Sequence, residues 1–140
     1  MKEEHQQQLI TKYPKIFKKL RVVECGDGWY TMLCVLCECI QLHIDNTGLA
    51  FGKEGGIPQV EARQVKEKFG GLRFYYGGGD KHVEGLVSFA EALSYTLCDV
   101  CGGPARSRNS PGGWIFTRCE GHKPGFTEKK PLQVKKNAAH

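Results

Sequence analysis

Hydrophobic positions recur at helical spacing in three stretches of the chain, and this periodicity predicts three helices. The first covers about residues 3–20 and is expected to break at Pro14, whose ring cannot continue a helix. The second covers about residues 29–43 and is apolar enough to be buried, and a glycine-rich loop is expected over 46–58. The third helix begins after Asp80, a good N-cap, and its buried stripe comprises Val83, Leu86, Val87, Ala90 and Leu93.

Alternating apolar and polar positions predict a β-hairpin within residues 59–76. Gly70-Gly71 separates the two alternating runs, and a Gly-Gly pair suits a two-residue turn. A hairpin packed with three helices gives an α+β fold. We therefore predict an α+β body over residues 1–97, a metal-binding element over 98–124 and a basic, disordered tail over 125–140.

Length and composition place limits on the class of protein. A chain of 140 residues makes one small domain that a bound metal would help to stabilise. No apolar run approaches the ~20 residues of a membrane span, and the polar N-terminus does not resemble a secretion signal. Seven cysteines are an odd number, which makes a disulfide framework a poor interpretation. We expect a soluble, cytoplasmic protein of a bacterial host cell whose cysteines are thiols or metal ligands.

Two ligand pairs with metal-binding spacing occur near the C-terminus. Cys98 and Cys101 are followed, after a loop, by Cys119 and His122 at the same spacing. Together they supply the four tetrahedral ligands of a closed structural zinc site, with no position left for a catalytic water. Residues 113–118 are expected to form the strand that delivers the second pair. The sequence predicts one structural zinc ion in a zinc-ribbon or treble-clef element.

The other four cysteines do not suggest a second metal site. Cys34, Cys37 and Cys39 lie on a predicted helix, where Cys37 and Cys39 point to different sides and cannot converge on one ion. Cys25 lies in a turn nearby. Packing of small apolar side chains is the interpretation that we favour for these residues.

The net charge of +5 is unevenly distributed. Residues 1–21 and 123–140 carry eleven basic and three acidic residues, whereas residues 22–122 carry nine basic and twelve acidic ones. The body is therefore not a general polyanion-binding surface. The basic ends could still attract nucleic acid without sequence preference.

One face of the predicted hairpin suggests an anionic ligand. A turn at the glycine pair places Lys68 opposite Arg73 and Lys66 opposite Tyr75, with Gln64 just beyond. Like charges opposite each other destabilise a strand pair, so a negative group over them would explain the arrangement. A nucleotide would use the charges for phosphate and the ring for base stacking. A solvated basic face, with side chains that separate in water, is the alternative.

Other residues are candidates for the same ligand. Asp27 and Trp29 could supply a carboxylate and a ring, although a turn residue and a core residue are the simpler interpretation. Arg106 and Arg108, between the two ligand pairs, could close over the ligand. Glu67 falls on the apolar face, so either it pairs with a buried Arg or Lys, or the register is shifted by one and the faces are exchanged.

The motifs over residues 25–29, 64–70 and 72–75, followed by the two ligand pairs, resemble small uncharacterised zinc-ribbon proteins of phages and prophages. The resemblance covers roughly residues 13–122 and implies a phage context rather than a particular chemistry. Phage proteins of this size include sponges, which sequester nucleotide immune signals of the host. By analogy, an anti-defence role is compatible with the phosphate-and-base surface proposed above.

The leading hypothesis is thus a non-catalytic protein that sequesters a nucleotide-derived signal, cyclic or ADP-ribose-like. One alternative is a nucleic-acid-binding protein that uses its basic ends and its zinc ribbon. Another is a protein that inhibits a host enzyme by surface contact. Catalysis is not expected, because no activated nucleophile or open metal site is recognisable; nucleotide cleavage by Cys25 and Asp27 is the alternative, although nothing in the sequence activates either residue. We expect no membrane association. The sequence does not give the oligomeric state, although a homo-oligomer could form.

Overall fold

The structure is a computed structural model that describes residues 1–51 and 56–123. Its helices are α1 (Glu3–Lys12), α2 (Tyr30–Phe51) and α3 (Lys81–Ser94), and its strands are β1 (Glu61–Lys68), β2 (Gly71–Gly77), β3 (Arg106–Asn109) and β4 (Ile115–Arg118). Strands β1 and β2 form one antiparallel sheet, and β3 and β4 form another. The predicted α+β fold is confirmed. The predicted tail over 125–140 lies outside the described residues.

The first helix is shorter than predicted. It ends at Lys12, and turns follow over residues 13–19 instead of a second helical segment. Pro14 disfavours helical backbone at the preceding residue, and Tyr13 accordingly has φ −124° and ψ 62°. The apolar stripe is nevertheless buried beyond the break, because Ile16 and Phe17 have no exposed surface.

The second helix is longer than predicted. A 3₁₀ turn at Asp27–Trp29 leads into α2, which continues to Phe51 through a region where we expected a loop. Gly48 is therefore inside the helix. One interior glycine costs a helix about 1 kcal/mol relative to alanine, which is not enough to end it.

The hairpin turn lies one residue earlier than predicted. Phe69 and Gly70 both have positive φ, 54° and 82°, so they form the two-residue turn in place of Gly70-Gly71. Lys66 therefore lies opposite Arg73, and Gln64 lies opposite Tyr75. The predicted pairs Lys68–Arg73 and Lys66–Tyr75 are wrong. A turn displaced by one residue changes each partner by two positions, so the side chains stay on their predicted faces.

Glu67 meets neither of the two expectations for it. Its carboxylate accepts a hydrogen bond from the backbone N–H of Gly70 at 2.6 Å, which stabilises the turn. The backbone of Glu67 also donates to the carbonyl of Glu24 at 2.9 Å, and Glu24 donates to Val65 at 2.8 Å. These two bonds place Glu24 in parallel alongside Lys66, next to β1.

Helix α3 covers the outer edge of β2. Asp80 caps the helix as predicted, since its Oδ1 accepts a bond from Val83 N at 3.0 Å. At the other end, the side chain of Glu91 accepts from Phe74 N at 2.9 Å, and Ser94 Oγ accepts from Leu72 N at 2.8 Å. The edge of the sheet is thus satisfied by side chains of a helix rather than by a third strand.

Ser94→Ala should lower the free energy of unfolding by about 1–3 kcal/mol, because it leaves the buried N–H of Leu72 without a partner. Ser88→Ala is the matched control, since Ser88 is exposed on the same helix and its replacement should change stability by less than about 0.5 kcal/mol. Urea unfolding of both variants checks the difference. Equal midpoints for the two variants would contradict the role assigned to Ser94.

One hydrophobic core joins the elements of the body. Its fully buried members include Leu9, Phe17, Trp29, Leu33, Ile40, Val60, Val65, Leu72 and Val83.

None of the helices in the described ranges is long and apolar enough to cross a membrane.

Candidate functional site

Three thiols and one imidazole converge after α3. The ligand atoms of Cys98, Cys101, Cys119 and His122 all lie within 4.8 Å of one another. Cys101 Sγ is 3.8 Å from Cys119 Sγ, and His122 Nδ1 is 3.2 Å from Cys119 Sγ and 3.7 Å from Cys98 Sγ. Four soft or borderline donors at these separations can hold one metal ion, as the sequence predicted.

Local backbone geometry presents these ligands. Around the first pair, Cys98 N donates to Gly103 O and Gly102 N donates to Cys98 O, both at 2.8 Å, which closes a tight turn. Gly102 has φ +79°, a value that favours glycine, and Gly103 N donates to the Cys101 sulfur at 3.4 Å. The second pair follows β4: Cys119 directly precedes the 3₁₀ turn Glu120–His122, and His122 ends this turn.

The environment of Cys98 favours a thiolate. Burial raises the pKa of this thiol. Hydrogen bonds from the surrounding backbone N–H groups, of which that of Cys119 has the largest effect, lower the pKa by more than burial raises it, and the resulting pKa is about 7. In contrast, burial raises the pKa of Cys25 to about 12 and raises that of Cys37 as well. Cys25 and Cys37 therefore stay protonated in the core, as their predicted packing role requires.

The metal-binding turn, residues 98–103, packs directly against two glycines of the Cys-Gly-Asp-Gly-Trp motif, residues 25–29. Gly28 N donates to Asp99 O at 2.9 Å, and a Cβ on Gly28 would lie 2.6 Å from Gly102 N. A Cβ on Gly26 would overlap the backbone of Asp99 in the same way. The sequence signalled a turn here but not its purpose, which is close backbone contact with the metal-binding element.

Two more hydrogen bonds fasten this element. Trp29 Nε1 donates to Leu97 O at 2.9 Å, directly before the first ligand. On the other side, the Thr117 hydroxyl donates to Gly70 O in the hairpin turn. The 3₁₀ turn before α2 therefore contacts the start of the metal-binding element, and the turn of the β1–β2 hairpin contacts β4 just before the second ligand pair.

The hairpin face keeps four of the predicted ligand residues together. Gln64, Lys66, Arg73 and Tyr75 share the face that points away from the core, and Tyr75 is 44% exposed. Arg73 donates to Tyr95 OH at 3.1 Å and to Leu72 O at 2.9 Å. Lys68 lies two residues beyond Lys66, is exposed, and has its ammonium 5.6 Å from the Phe69 ring.

A carboxylate that sequence analysis missed belongs to this face. The parallel bridge sets Glu24 beside Lys66, while Arg73 lies on the other side of the same lysine. Glu24 precedes the hairpin by about forty residues, so no local pattern could reveal this proximity. The bridge is a backbone contact, and among the described residues the Glu24 carboxylate forms no ion pair with Lys66 or Arg73.

The structure removes Asp27 and Trp29 from the predicted ligand set. Trp29 is 0% exposed, so its ring has no free face on which a base could stack. Asp27 accepts hydrogen bonds from His5 Nδ1 at 2.8 Å and from Lys2 N at 3.1 Å, and it is engaged in holding α1.

The two arginines between the ligand pairs do not close over the hairpin face either. Arg108 donates to Arg118 O and to Glu120 Oε1, both at 2.7 Å, so it fixes the end of β4. Arg106 is exposed and pairs in register with Arg118. Among the described residues, neither Arg106 nor Arg108 forms a hydrogen bond or strand pair with Lys66 or Arg73.

Comparisons of the chain with protein-family models, with curated proteins and with solved structures gave no match.

Proposed function

We propose that this protein is a non-catalytic binding protein in which a zinc ion fastens the C-terminal element and the hairpin face holds a small anionic ligand. The observation that carries the proposal is the register of β1 and β2, which sets Lys66 opposite Arg73 and Gln64 opposite Tyr75 on one face, where Tyr75 is exposed and the other three are half-buried. The zinc supports the fold and takes no part in binding chemistry.

Zinc is the metal that best suits the four ligands. Three thiolates and an imidazole are a common structural zinc set, and two sulfurs about 2.3 Å from one tetrahedral ion are about 3.8 Å apart. The distance between the sulfurs of Cys101 and Cys119 has this value. A metal-binding turn, the β3–β4 hairpin and a final short turn make a treble-clef-like zinc element.

The chemistry of the hairpin face suits a nucleotide. Lys66 and Arg73 supply charge for phosphate, the Tyr75 ring supplies a stacking surface and Gln64 supplies an amide for polar edges. In the phage context that the sequence resemblance implies, the ligand is an immune signal, cyclic or ADP-ribose-like, which the protein sequesters from the host. Because Glu24 lies beside Lys66, its negative charge disfavours an anionic ligand at this position.

Lys66→Gln should weaken ADP-ribose or cyclic-dinucleotide binding by about tenfold, the value of one charge-assisted hydrogen bond. Glu24→Gln should strengthen binding by a few-fold, because it removes a competing charge and leaves the backbone bonds of Glu24 intact. Isothermal titration calorimetry with both nucleotides measures these changes. Lys81→Gln is the control, since the Lys81 side chain is 94% exposed at the start of α3 and is not one of the residues of the hairpin face.

If Lys66 and Glu24 had only structural roles, their variants would not change the nucleotide affinity in opposite directions. If neither nucleotide binds the wild-type protein, or if Glu24→Gln weakens binding as Lys66→Gln does, the anionic-ligand proposal is wrong. Recovery of an altered nucleotide after incubation would overturn its non-catalytic part.

A second candidate function, binding to nucleic acid, is favoured by exposed basic residues at the end of α1 and in the segment after it, namely Lys12, Lys15, Lys18, Lys19 and Arg21. One of them, Lys19, is paired with Glu61 at 3.1 Å. Binding through this run would have a steep salt dependence that Lys15→Gln and Lys18→Gln reduce and Lys66→Gln leaves unchanged. A surface inhibitor of a host enzyme would respond to neither set of changes.

A further inference from the structure

A large apolar groove lies between α2, α3 and the metal-binding turn, separate from the hairpin face. Its volume is about 1030 Å³, at the upper end of the range for sites that hold drug-sized molecules. Val35 of α2 and Phe89 of α3 line it with 57% and 67% of their surfaces exposed, and Val100 contributes the wall next to the metal ligands. Large apolar side chains that remain in water around a concavity indicate a binding site.

One end of this groove carries an ordered polar pair. His5 Nδ1 is 2.8 Å from Asp27 Oδ1, and the imidazole stacks on Tyr30 with ring centroids 4.2 Å apart and planes 13° apart. Partial burial raises the pKa of Asp27, but hydrogen bonds from His5 and Lys2 lower it below its ordinary value, so this carboxyl is ionised at neutral pH. An ionised carboxylate only accepts hydrogen bonds, so His5 Nδ1 must carry the proton.

In the neutral imidazole, a proton on Nδ1 leaves His5 Nε2 as a hydrogen-bond acceptor. The described residues offer no hydrogen bond to Nε2, and His5 lines the groove. Because Asp27 and the Tyr30 ring fix the imidazole, a ligand that bonds to Nε2 finds it already oriented. The nearby carboxylate charge opposes an anionic head group, and the mostly apolar lining makes the desolvation of any charged head group costly, so a neutral donor is the complementary partner.

We infer that the groove binds a small neutral amphipathic molecule, with an alkyl or aromatic body against Val35 and Phe89 and a hydroxyl group that donates to His5 Nε2. This site is independent of the proposed nucleotide site, since Lys66 and Arg73 do not line it. The metal-binding turn forms one wall, so the metal ion supports the groove as well as the fold.

The test uses the full-length, metal-loaded protein with Nile red as a neutral fluorescent probe and 1-decanol and decanoate as competitors. Nile red should bind, and 1-decanol should displace it at a concentration at least about tenfold lower than decanoate. His5→Phe keeps the aromatic stack but removes both ring nitrogens, so it should weaken 1-decanol about tenfold, as expected for one lost hydrogen bond. Nile red has no hydroxyl donor, and its own affinity should stay within about twofold.

A matched pair of α2 variants tests the apolar wall. Val35→Asp should abolish Nile red binding, whereas Leu42→Asp should not, because Leu42 is 49% exposed on the same helix but lies outside the groove. Failure of the wild-type protein to bind Nile red would overturn the proposal, as would displacement by decanoate as effective as that by 1-decanol. A wild-type dimer that Val35→Asp dissociates would identify the groove as an interface between copies and also overturn it.

Discussion

Cys119→Ser should abolish metal binding and unfold the element from Cys98 to Lys123 while the body stays folded. Cys119 Sγ lies within 3.8 Å of two other ligand atoms, and the remaining three donors cannot close a tetrahedral site. Structural zinc contributes about 10–16 kcal/mol to the folding of small zinc-finger peptides, which is as large as the stability of many whole domains. We therefore expect the metal content to fall from one ion per chain to nearly none.

Hydrogen exchange resolved by peptide separates the element from the body. Amides from 98 to 123 should lose protection in the variant, and those of β1 and the core half of α2 should largely keep it, because these segments bury their apolar residues among themselves. Chelation of the wild-type protein should give the same pattern.

Cys39→Ser is the matched control, since Cys39 is another partly exposed cysteine but lies outside the metal cluster. Its metal content should equal that of the wild-type protein. A Cys119→Ser variant that still binds one equivalent of zinc would contradict the assignment of the ligands. Loss of metal from both variants would point instead to a site that involves the cysteines of α2.

The features that the sequence predicted correctly depend on local spacing. The four metal ligands follow from two pairs of residues whose separations suit tight turns. The cap of α3 follows from a single side chain, Asp80, which accepts a hydrogen bond from the backbone three residues later. The faces of the hairpin follow from its two-residue period, and they hold even though the turn was placed one residue too late. Each of these needs information from only a few neighbouring residues.

The features that sequence analysis missed depend on contacts between distant segments. A bulky Phe69 in a left-handed conformation is unfavourable locally, and it occurs where Thr117 bonds the next carbonyl and Glu67 bonds the next amide. The position of Glu24 beside Lys66 likewise depends on tertiary packing. Trp29 is buried, as the simpler interpretation of the sequence predicted, and only its hydrogen bond to Leu97 O depends on the distant segment. These misses changed the predicted ligand set more than the fold.

The difference between local spacing and contacts of distant segments also explains why the role of the Cys-Gly-Asp-Gly-Trp motif could not be predicted in full. From the sequence, its glycines indicate only a turn, and its Asp and Trp are either ligand contacts or, as the simpler interpretation, a turn residue and a core residue. In the structure, Gly26 and Gly28 allow two backbones to meet, Asp27 orients His5 and Trp29 packs in the core. A short motif thus connects the metal-binding element, the groove and the core, so a change in one glycine should affect all three.

Gly28→Ala should destabilise the protein by about 3 kcal/mol or more, the upper range for overpacking against a rigid surface. The new Cβ would overlap Cys98 O and lie 2.6 Å from Gly102 N, and these are backbone atoms of the turn that holds the metal. They cannot move without displacing Cys98 or Cys101. The N–H of Gly28 that bonds Asp99 is still present in alanine, so the effect is steric and not the loss of a hydrogen bond.

Gly85→Ala makes the same chemical change where there is space. A Cβ on Gly85 meets nothing within 4 Å, and this residue lies inside α3, so alanine should stabilise the protein by about 1 kcal/mol through its higher helix propensity. Urea unfolding of both variants should therefore give midpoints on opposite sides of the wild-type value, with the zinc content of each measured in parallel. If Gly28→Ala were as stable as the wild-type protein, the metal-binding turn could not be seated against residues 26–28 as described.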